Sequence, residues 1–250
     1  MVAYNSSGAH LVRRREAVTT LRYTGVMTDR DKADLAQLLV ASGAVRFGRF
    51  TTKSGRRSPY FVNLGQVSDG TQLAELGRLY TLAAEQLLPG STYDCVFGPA
   101  YKAIPIAIAT AMASSRRQPR PIHYCFDRKD QKAHGEGGLL VGHVPDADER
   151  VLIVDDVITD GASKRSAVAL LGRETGATVV GLLVAVDRLE PSTPAADAAK
   201  PSVSALAELD KSFGFPARAM LDIRELVALA NVTPEVRQAV AQHLSTYGVG

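Results

Sequence analysis

The stretch Arg150–Ala167, RVLIVDDVITDGASKRSA, constrains the fold more than any other part of the chain. Val151–Val154 is an unbroken apolar run, the pattern of a strand covered on both faces of a parallel sheet. Asp155 and Asp156 follow at its carboxyl end, and then a loop of small residues, Thr159-Asp160-Gly161-Ala162-Ser163. Ser163 has the chemistry of a helix N-cap. Behind it Ala167, Val168 and Leu171 recur at helical spacing, with Gly176 near the end. In open α/β sheets ligands bind beyond the carboxyl ends of the strands. Backbone N–H groups of such a loop, backed by a helix N-terminus, suit a phosphate. Two adjacent carboxylates would repel that phosphate. They suit sugar hydroxyls, a hard cation such as Mg2+, or both. The unit as a whole points to a phosphorylated sugar.

Composition narrows the classes. A chain of 250 residues allows one large α/β domain or a domain with an added subdomain. With 46% hydrophobic and 22% charged residues it has the balance of a soluble globular protein. A net charge of +3 makes no case for nucleic acid. Cys95 and Cys125 sit in apolar runs and form no CxxC, which predicts buried, reduced thiols and a cytoplasmic protein. No apolar run reaches the length of a membrane span, and Arg13-Arg14-Arg15 is followed by no apolar segment of a secretory signal.

Residues 1–27 mix Ser, Gly, Thr and Arg without a period and are expected to be a poorly ordered extension, with a single domain over 28–250. Leu35, Leu38 and Leu39 predict an amphipathic helix over Asp29–Ser42. Two aromatic runs, Phe47–Phe50 and Tyr60–Phe61, flank a polar basic turn and predict a hairpin. A helix over Asp69–Leu88 leads to a strand at Tyr93–Phe97, the turn Gly98–Lys102 and a second helix to about Ser115. Strands are expected at Pro121–Phe126, Leu139–Val144, Thr178–Val186 and, as an edge, Ala217–Asp222. Helices are expected at Ser204–Phe213, Ile223–Ala230 and Pro234–Thr246, and a long loop at 190–202. The segment Asp127–Gly138, DRKDQKAHGEGG, is basic, glycine-rich and poor in apolar residues, the composition either of a solvated loop or of a lid that closes over a polyanion.

Four stretches carry a resemblance: KSGRRSPYFVN, FGPAYKAIPIA, DRKDQKAHGEGG and the strand–DD–TDGAS–helix unit. Together, and in this order, they resemble the orotate phosphoribosyltransferases, members of the type I phosphoribosyltransferases that bind 5-phosphoribosyl-1-pyrophosphate (PRPP). The resemblance implies an α/β fold with a central, mostly parallel sheet flanked by helices. It also implies a small hood of about residues 28–65 plus a C-terminal part, a core of about 66–190, and a flexible lid. The implied reaction makes orotidine 5′-monophosphate and pyrophosphate from orotate and PRPP, with Mg2+ held mainly through PRPP and water near Asp155 and Asp156.

The resemblance also assigns residues. Tyr101, Lys102, Arg128, Lys129, Lys132 and His134 would meet PRPP, with Asp155 and Asp156 on the ribose and Thr159, Asp160, Gly161, Ala162 and Ser163 around the 5′-phosphate. Lys132, His134, Asp155 and Asp156 would be catalytic. Lys53, Tyr60, Phe61, Thr159 and Arg188 would place orotate, Arg188 through its carboxylate; the alternative for Arg188 is an ion pair with Asp187 or Glu190. The lid, 128–138, would close over the neighbouring subunit's site in a homodimer, with no nucleic acid and no membrane as partner. Ala103 and Ala162 depart from the family's usual Gly and from its Thr or Ser. Other classes compatible with part of the pattern are a purine phosphoribosyltransferase, against which KSGRRSPYF argues, and a regulator that binds PRPP without catalysis.

Overall fold

The apolar runs bounded by turn residues form the strands of two sheets in the computed structural model, which describes residues 26–52, 55–90, 93–129, 138–158, 161–191 and 203–249. The chain opens with α1 (Asp29–Ala41), whose N-terminus is closed by a capping box between Thr28 and Asp31. Then β1 (Val45–Thr51) and β2 (Arg57–Val62) pair antiparallel as a separate two-stranded sheet. This is the expected hairpin. Met27, expected to belong to the extension, is buried in the domain core. The rest of that extension up to residue 25, and 192–202 of the expected long loop, lie outside the described residues.

The main sheet is built from β3 (Cys95–Phe97), β4 (His123–Asp127), β5 (Leu140–Gly142), β6 (Arg150–Ile158), β7 (Thr178–Asp187) and β8 (Ala217–Asp222), in the order β5-β4-β3-β6-β7-β8. Only β5 runs antiparallel to its neighbour; all other pairs are parallel. Strand alternation divides the sheet's residues between two cores. Val96, Leu152, Val154 and Leu183 pack on one face with α2 (Gly70–Leu87), α3 (Ala103–Ser115), α6 (Ile223–Leu229) and α7 (Pro234–Tyr247). Cys95, Phe97, Val151, Ile153, Leu182 and Val184 pack on the other with α4 (Ala162–Glu174) and α5 (Ala205–Phe213). Val151–Val154 is therefore covered on both faces, which is why the run does not alternate with polar residues.

Several boundaries differ from the sequence expectation. Asp155 and Asp156 lie within β6 rather than after it, because β7 continues to pair with β6 as far as Ile158↔Asp187. The N-cap of α4 is Gly161, in the left-handed conformation at φ 76°, and Ser163 falls inside the helix. The strand expected from Pro121 starts at His123, since the Ile122 N–H is taken by Ser115 Oγ at 2.8 Å. The strand expected over Leu139–Val144 is confined to Leu140–Gly142, ending at a glycine with φ 91°.

The close approach of α2 to α3 depends on Gly77. A Cβ on Gly77 would lie 2.6 Å from the carbonyl carbon of Ala109 and closer still to its oxygen. Gly77→Ala is expected to force the two helices apart and destabilise the protein by about 1–3 kcal/mol. Denaturant melting checks this; an unchanged midpoint would contradict the tight approach.

Candidate active site

The connectivity places one crevice apart from the rest. From β3 the chain moves outward through α3 to β4 and β5, then returns to the other side of β3 with β6 and continues to β7 and β8. The order thus reverses between β3 and β6, the kind of switch point at which open α/β sheets leave room for a ligand. Pairing of β6 with β3 ends at Phe97↔Ile153, so β6 runs on past the end of β3 with Asp155 and Asp156 on the overhang.

Both carboxylates are nearly buried, at 7% and 5% exposure, and both are held by backbone and by lysines. Asp155 Oδ1 accepts from the Asp156 N–H at 2.8 Å, and Asp156 Oδ1 from the Val157 N–H at 2.8 Å. Lys102, at the turn after β3, reaches Asp156 Oδ2 at 3.1 Å. Lys164, in the first turn of α4 and only 5% exposed, donates to the Val157 carbonyl at 2.8 Å and lies 2.5 Å from Asp155 Oδ2. Burial pushes the Asp155 carboxyl above the ordinary range; the Lys164 ammonium opposes that shift and Asp156 adds to it.

Around this pair stand the other predicted groups. Gly161, Ala162 and Ser163 open α4, whose first turn carries no acidic residue, so its positive dipole end favours an anion. The methyl of Ala103 is fully buried at the start of α3, so the turn accommodates it. Tyr101 is 64% exposed with Lys129 Nζ 4.7 Å above its ring, and the Arg128 N–H bonds to the Leu139 carbonyl at the mouth of the β4–β5 connection. Asp127 Oδ1 accepts from the Ala100 N–H at 2.6 Å and ties the turn after β3 to the end of β4. Lys53, Lys132, His134, Thr159 and Asp160 lie outside the described residues.

A second cluster joins the hairpin to the end of β7. Glu190 pairs with Arg188 at 2.8 Å and with Arg56 at 2.9 Å, accepts from the Tyr60 hydroxyl at 3.0 Å, and lies 3.2 Å from His243 Nε2 on α7. The Arg188 guanidinium also stands 5.3 Å from the Tyr60 ring centroid. Tyr60 and Phe61 do not act as one aromatic wall, because successive residues of β2 point to opposite faces. Tyr60 is buried in this cluster, whereas Phe61 is half-exposed, stacked on Phe50 and topped by Arg46. Arg188 therefore makes the ion pair with Glu190 that the sequence offered as its alternative role.

No family model matches the chain. It is 38% identical over 236 residues to the orotate phosphoribosyltransferase of Bifidobacterium animalis subsp. lactis (strain AD011), covering 89% of this chain and 100% of that one. The chain belongs to the orotate phosphoribosyltransferase family. The enzyme of the same name from Pseudomonas fluorescens (strain SBW25) is 38% identical over 219 residues, with 86% and 97% covered. Among solved structures, that of the Francisella tularensis orotate phosphoribosyltransferase is similar with a TM-score of 0.66 at 30% identity, over 84% of this chain and 97% of that one. The Mycobacterium tuberculosis H37Rv orotate phosphoribosyltransferase in complex with PRPP gives a TM-score of 0.56 at 27% identity, over 79% and 99%. The central, mostly parallel sheet flanked by helices is thus the type I phosphoribosyltransferase fold.

Two residues of these clusters escaped the sequence reading, Lys164 and His243, and both carried a signal. Lys164 lies on the same helical stripe as Ala167 and Leu171, three and seven residues on, and His243 on that of Val236 and Val240. A polar, ionisable side chain on an apolar stripe must find a buried partner. Lys164→Met should push the Asp155 carboxyl further up, since the opposing ammonium is gone. The acid limb of the pH–kcat profile should then move to higher pH and kcat fall by about tenfold or more. Coincident limbs in the two profiles would contradict the coupling. Glu190 is held down to about 2 by His243 and the two arginines, in spite of its burial, from an ordinary 4.5. A depressed carboxylate stabilises the fold above its unfolded value and loses that contribution as the pH falls from about 4.5 to about 2. Glu190→Gln should cost about 3 kcal/mol at neutral pH, with the gap from the parent closing across that acid window in denaturant melts.

Proposed function

We propose that the crevice between β3 and β6 transfers the 5-phosphoribosyl group of PRPP to orotate, forming orotidine 5′-monophosphate and pyrophosphate in the synthesis of UMP. The observation that carries this is the buried Asp155–Asp156 pair on the overhang of β6, between a lysine-bearing turn and a helix whose first turn carries no acidic residue. As the C1–O bond of PRPP breaks, positive charge develops on the ribose and the electron pair leaves with pyrophosphate. Asp155 and Asp156 hydrogen-bond the ribose hydroxyls and lie beside the developing positive charge. Thr159 to Ser163 and the start of α4 cradle the 5′-phosphate. Lys102, Arg128 and Lys129, with Lys132 and His134 of the lid, neutralise the leaving group. Lys53 and Arg188 set orotate with its ring nitrogen facing C1, against the surface formed by the hairpin that bears Tyr60 and Phe61. The nitrogen attacks C1 with inversion, and no protein nucleophile takes part.

The donor chemistry fits Mg2+: the pair supplies carboxylate oxygens, hard ligands for a hard ion. Both carboxylates are already engaged by lysines, so the ion would be held mainly through PRPP and water near Asp155 and Asp156. When bound, Mg2+ supplies charge neutralisation to the pyrophosphate. The enzyme works as a homodimer whose 128–138 lids close over the neighbouring subunit's site. Cytoplasmic placement fits two free, buried cysteines. Among the described residues no helix is long and apolar enough to cross a membrane.

The test mixes purified protein with Mg2+, PRPP and orotate and follows the loss of orotate absorbance, with uracil and adenine as control bases. Loss specific to orotate, dependent on both PRPP and Mg2+, is expected, and Lys132→Ala or His134→Ala should cut turnover by about 100-fold or more without shifting the melting temperature. PRPP binding with no orotate consumption would favour a regulatory protein on the same fold. Unchanged turnover in both variants would remove the lid from the chemistry.

A further inference from the structure

The crevice occupies the carboxyl end of the parallel strands. At the opposite, amino end three side chains that ligate transition metals converge, and nothing in the proposed reaction uses them. His123 is the first residue of β4, His143 follows directly on β5, and Glu149 directly precedes β6. One potential ligand atom from each of the three lies within 4.8 Å of the other two. The two imidazoles face each other at 4.0 Å between centroids with an interplanar angle of 21°. His143 Nε2 lies 2.6 Å from Glu149 Oε2, and that oxygen also accepts from the Asp146 N–H at 2.8 Å.

We propose that His123, His143 and Glu149 form a site for a borderline divalent transition ion, Zn2+ in the first place, with water completing the coordination. Two imidazoles and a carboxylate are donors that Zn2+ accepts, at about 2.0–2.2 Å each, whereas an all-oxygen ion such as Mg2+ has no preference for imidazole. In a tetrahedral site ligand atoms stand about 3.4 Å apart. The His143–Glu149 pair therefore opens by under about 1 Å as the ion replaces the shared proton. The exposed His123 ring turns out of its stack to aim a nitrogen at the same point.

The backbone around the site is fixed by pairing. His123 is in register with Cys95 on β3, the His143 N–H bonds to the Tyr124 carbonyl at 3.0 Å, and Glu149 is closed into a turn by its own N–H to the Asp146 carbonyl at 3.0 Å. Asp146 acts as the outer support of the carboxylate, the part that second-sphere hydrogen bonds play at metal sites. The ion would add a direct link between the β4–β5 edge pair and the start of β6, which the sheet joins through β3.

The experiment uses the full chain without a histidine tag, stripped with EDTA and titrated with ZnCl2 by calorimetry, with no PRPP present. About one ion per chain should bind saturably, and millimolar Mg2+ should not displace it. His143→Ala and Glu149→Gln should weaken uptake by about tenfold or more, as should His123→Ala, a change at an exposed position that leaves the fold intact if either of the others disturbs it. Orotate turnover measured in zinc-free Mg2+ buffer should be the same in His123→Ala as in the parent, because the cluster lies at the far end of the strands. Absence of saturable Zn2+ uptake would overturn the proposal. Undiminished uptake in the three variants would do so too, since the ion would then sit elsewhere.

Discussion

The contact on which the site depends is that of Lys164 with Asp155. A carboxylate taken out of water without a partner costs several kcal/mol or becomes protonated. Here two adjacent carboxylates are nearly buried on the overhang of one strand, and Asp156 raises the cost of ionising Asp155. The fold meets this with one ammonium from each side. Lys164 arrives from the helix behind the strand and is itself buried; Lys102 arrives from the turn across the crevice and is half-exposed. The two are not equivalent. Lys164 is enclosed, shared with the Val157 carbonyl, and fixes Asp155 in place. On the proposed reading, Lys102 leaves Asp156 when a polyanion offers more negative charge. The pair therefore consists of one oriented group and one exchangeable group.

The same logic governs the hairpin cluster at the other side of the site. Glu190 gathers two arginines, a phenol and an imidazole around one carboxylate, and in doing so joins β2, the end of β7 and α7, elements far apart in sequence. Breaking such a hub removes the counter-charge of Arg188 in a poorly hydrated place, so the loss from Glu190→Gln should exceed that of an ordinary surface pair. The hairpin is a two-stranded sheet of its own, and two strands alone are marginal in water. Its position relative to the crevice is set by this hub and by the burial of Val45, Tyr60 and Val62.

The elements and the site were legible in the sequence to different depths. The β6 unit was readable because a doubly covered strand leaves an unbroken apolar run and a phosphate loop requires small residues. The hairpin was readable from its two aromatic runs. Boundaries failed where pairing, not composition, decides them: β6 continues through two aspartates because β7 is there to pair with it, and Pro121–Ile122 stays out of β4 because Ser115 claims the N–H. The roles of Lys164 and His243 were missed because residue type alone speaks for the surface, and only their place on an apolar stripe speaks for the core. The separation of Tyr60 from Phe61 followed directly from strand alternation and needed only the decision that both lie in β2.

On the proposed reading, Arg188 combines a structural and a substrate-binding role in one side chain. Its Nε and Nη2 both address a single oxygen of Glu190, at 3.2 and 2.8 Å. A guanidinium carries five N–H donors in a rigid plane, more than one carboxylate oxygen takes up. The Glu190 pair thus fixes the plane of Arg188 and keeps its charge, while a planar carboxylate approaching from the crevice side meets a fork that is already oriented. Arg188→Lys would keep the charge and the link to Glu190 but lose the fixed plane. On that reading the ion pair with Glu190 is the condition under which Arg188 would recognise a ligand, rather than a competitor for it.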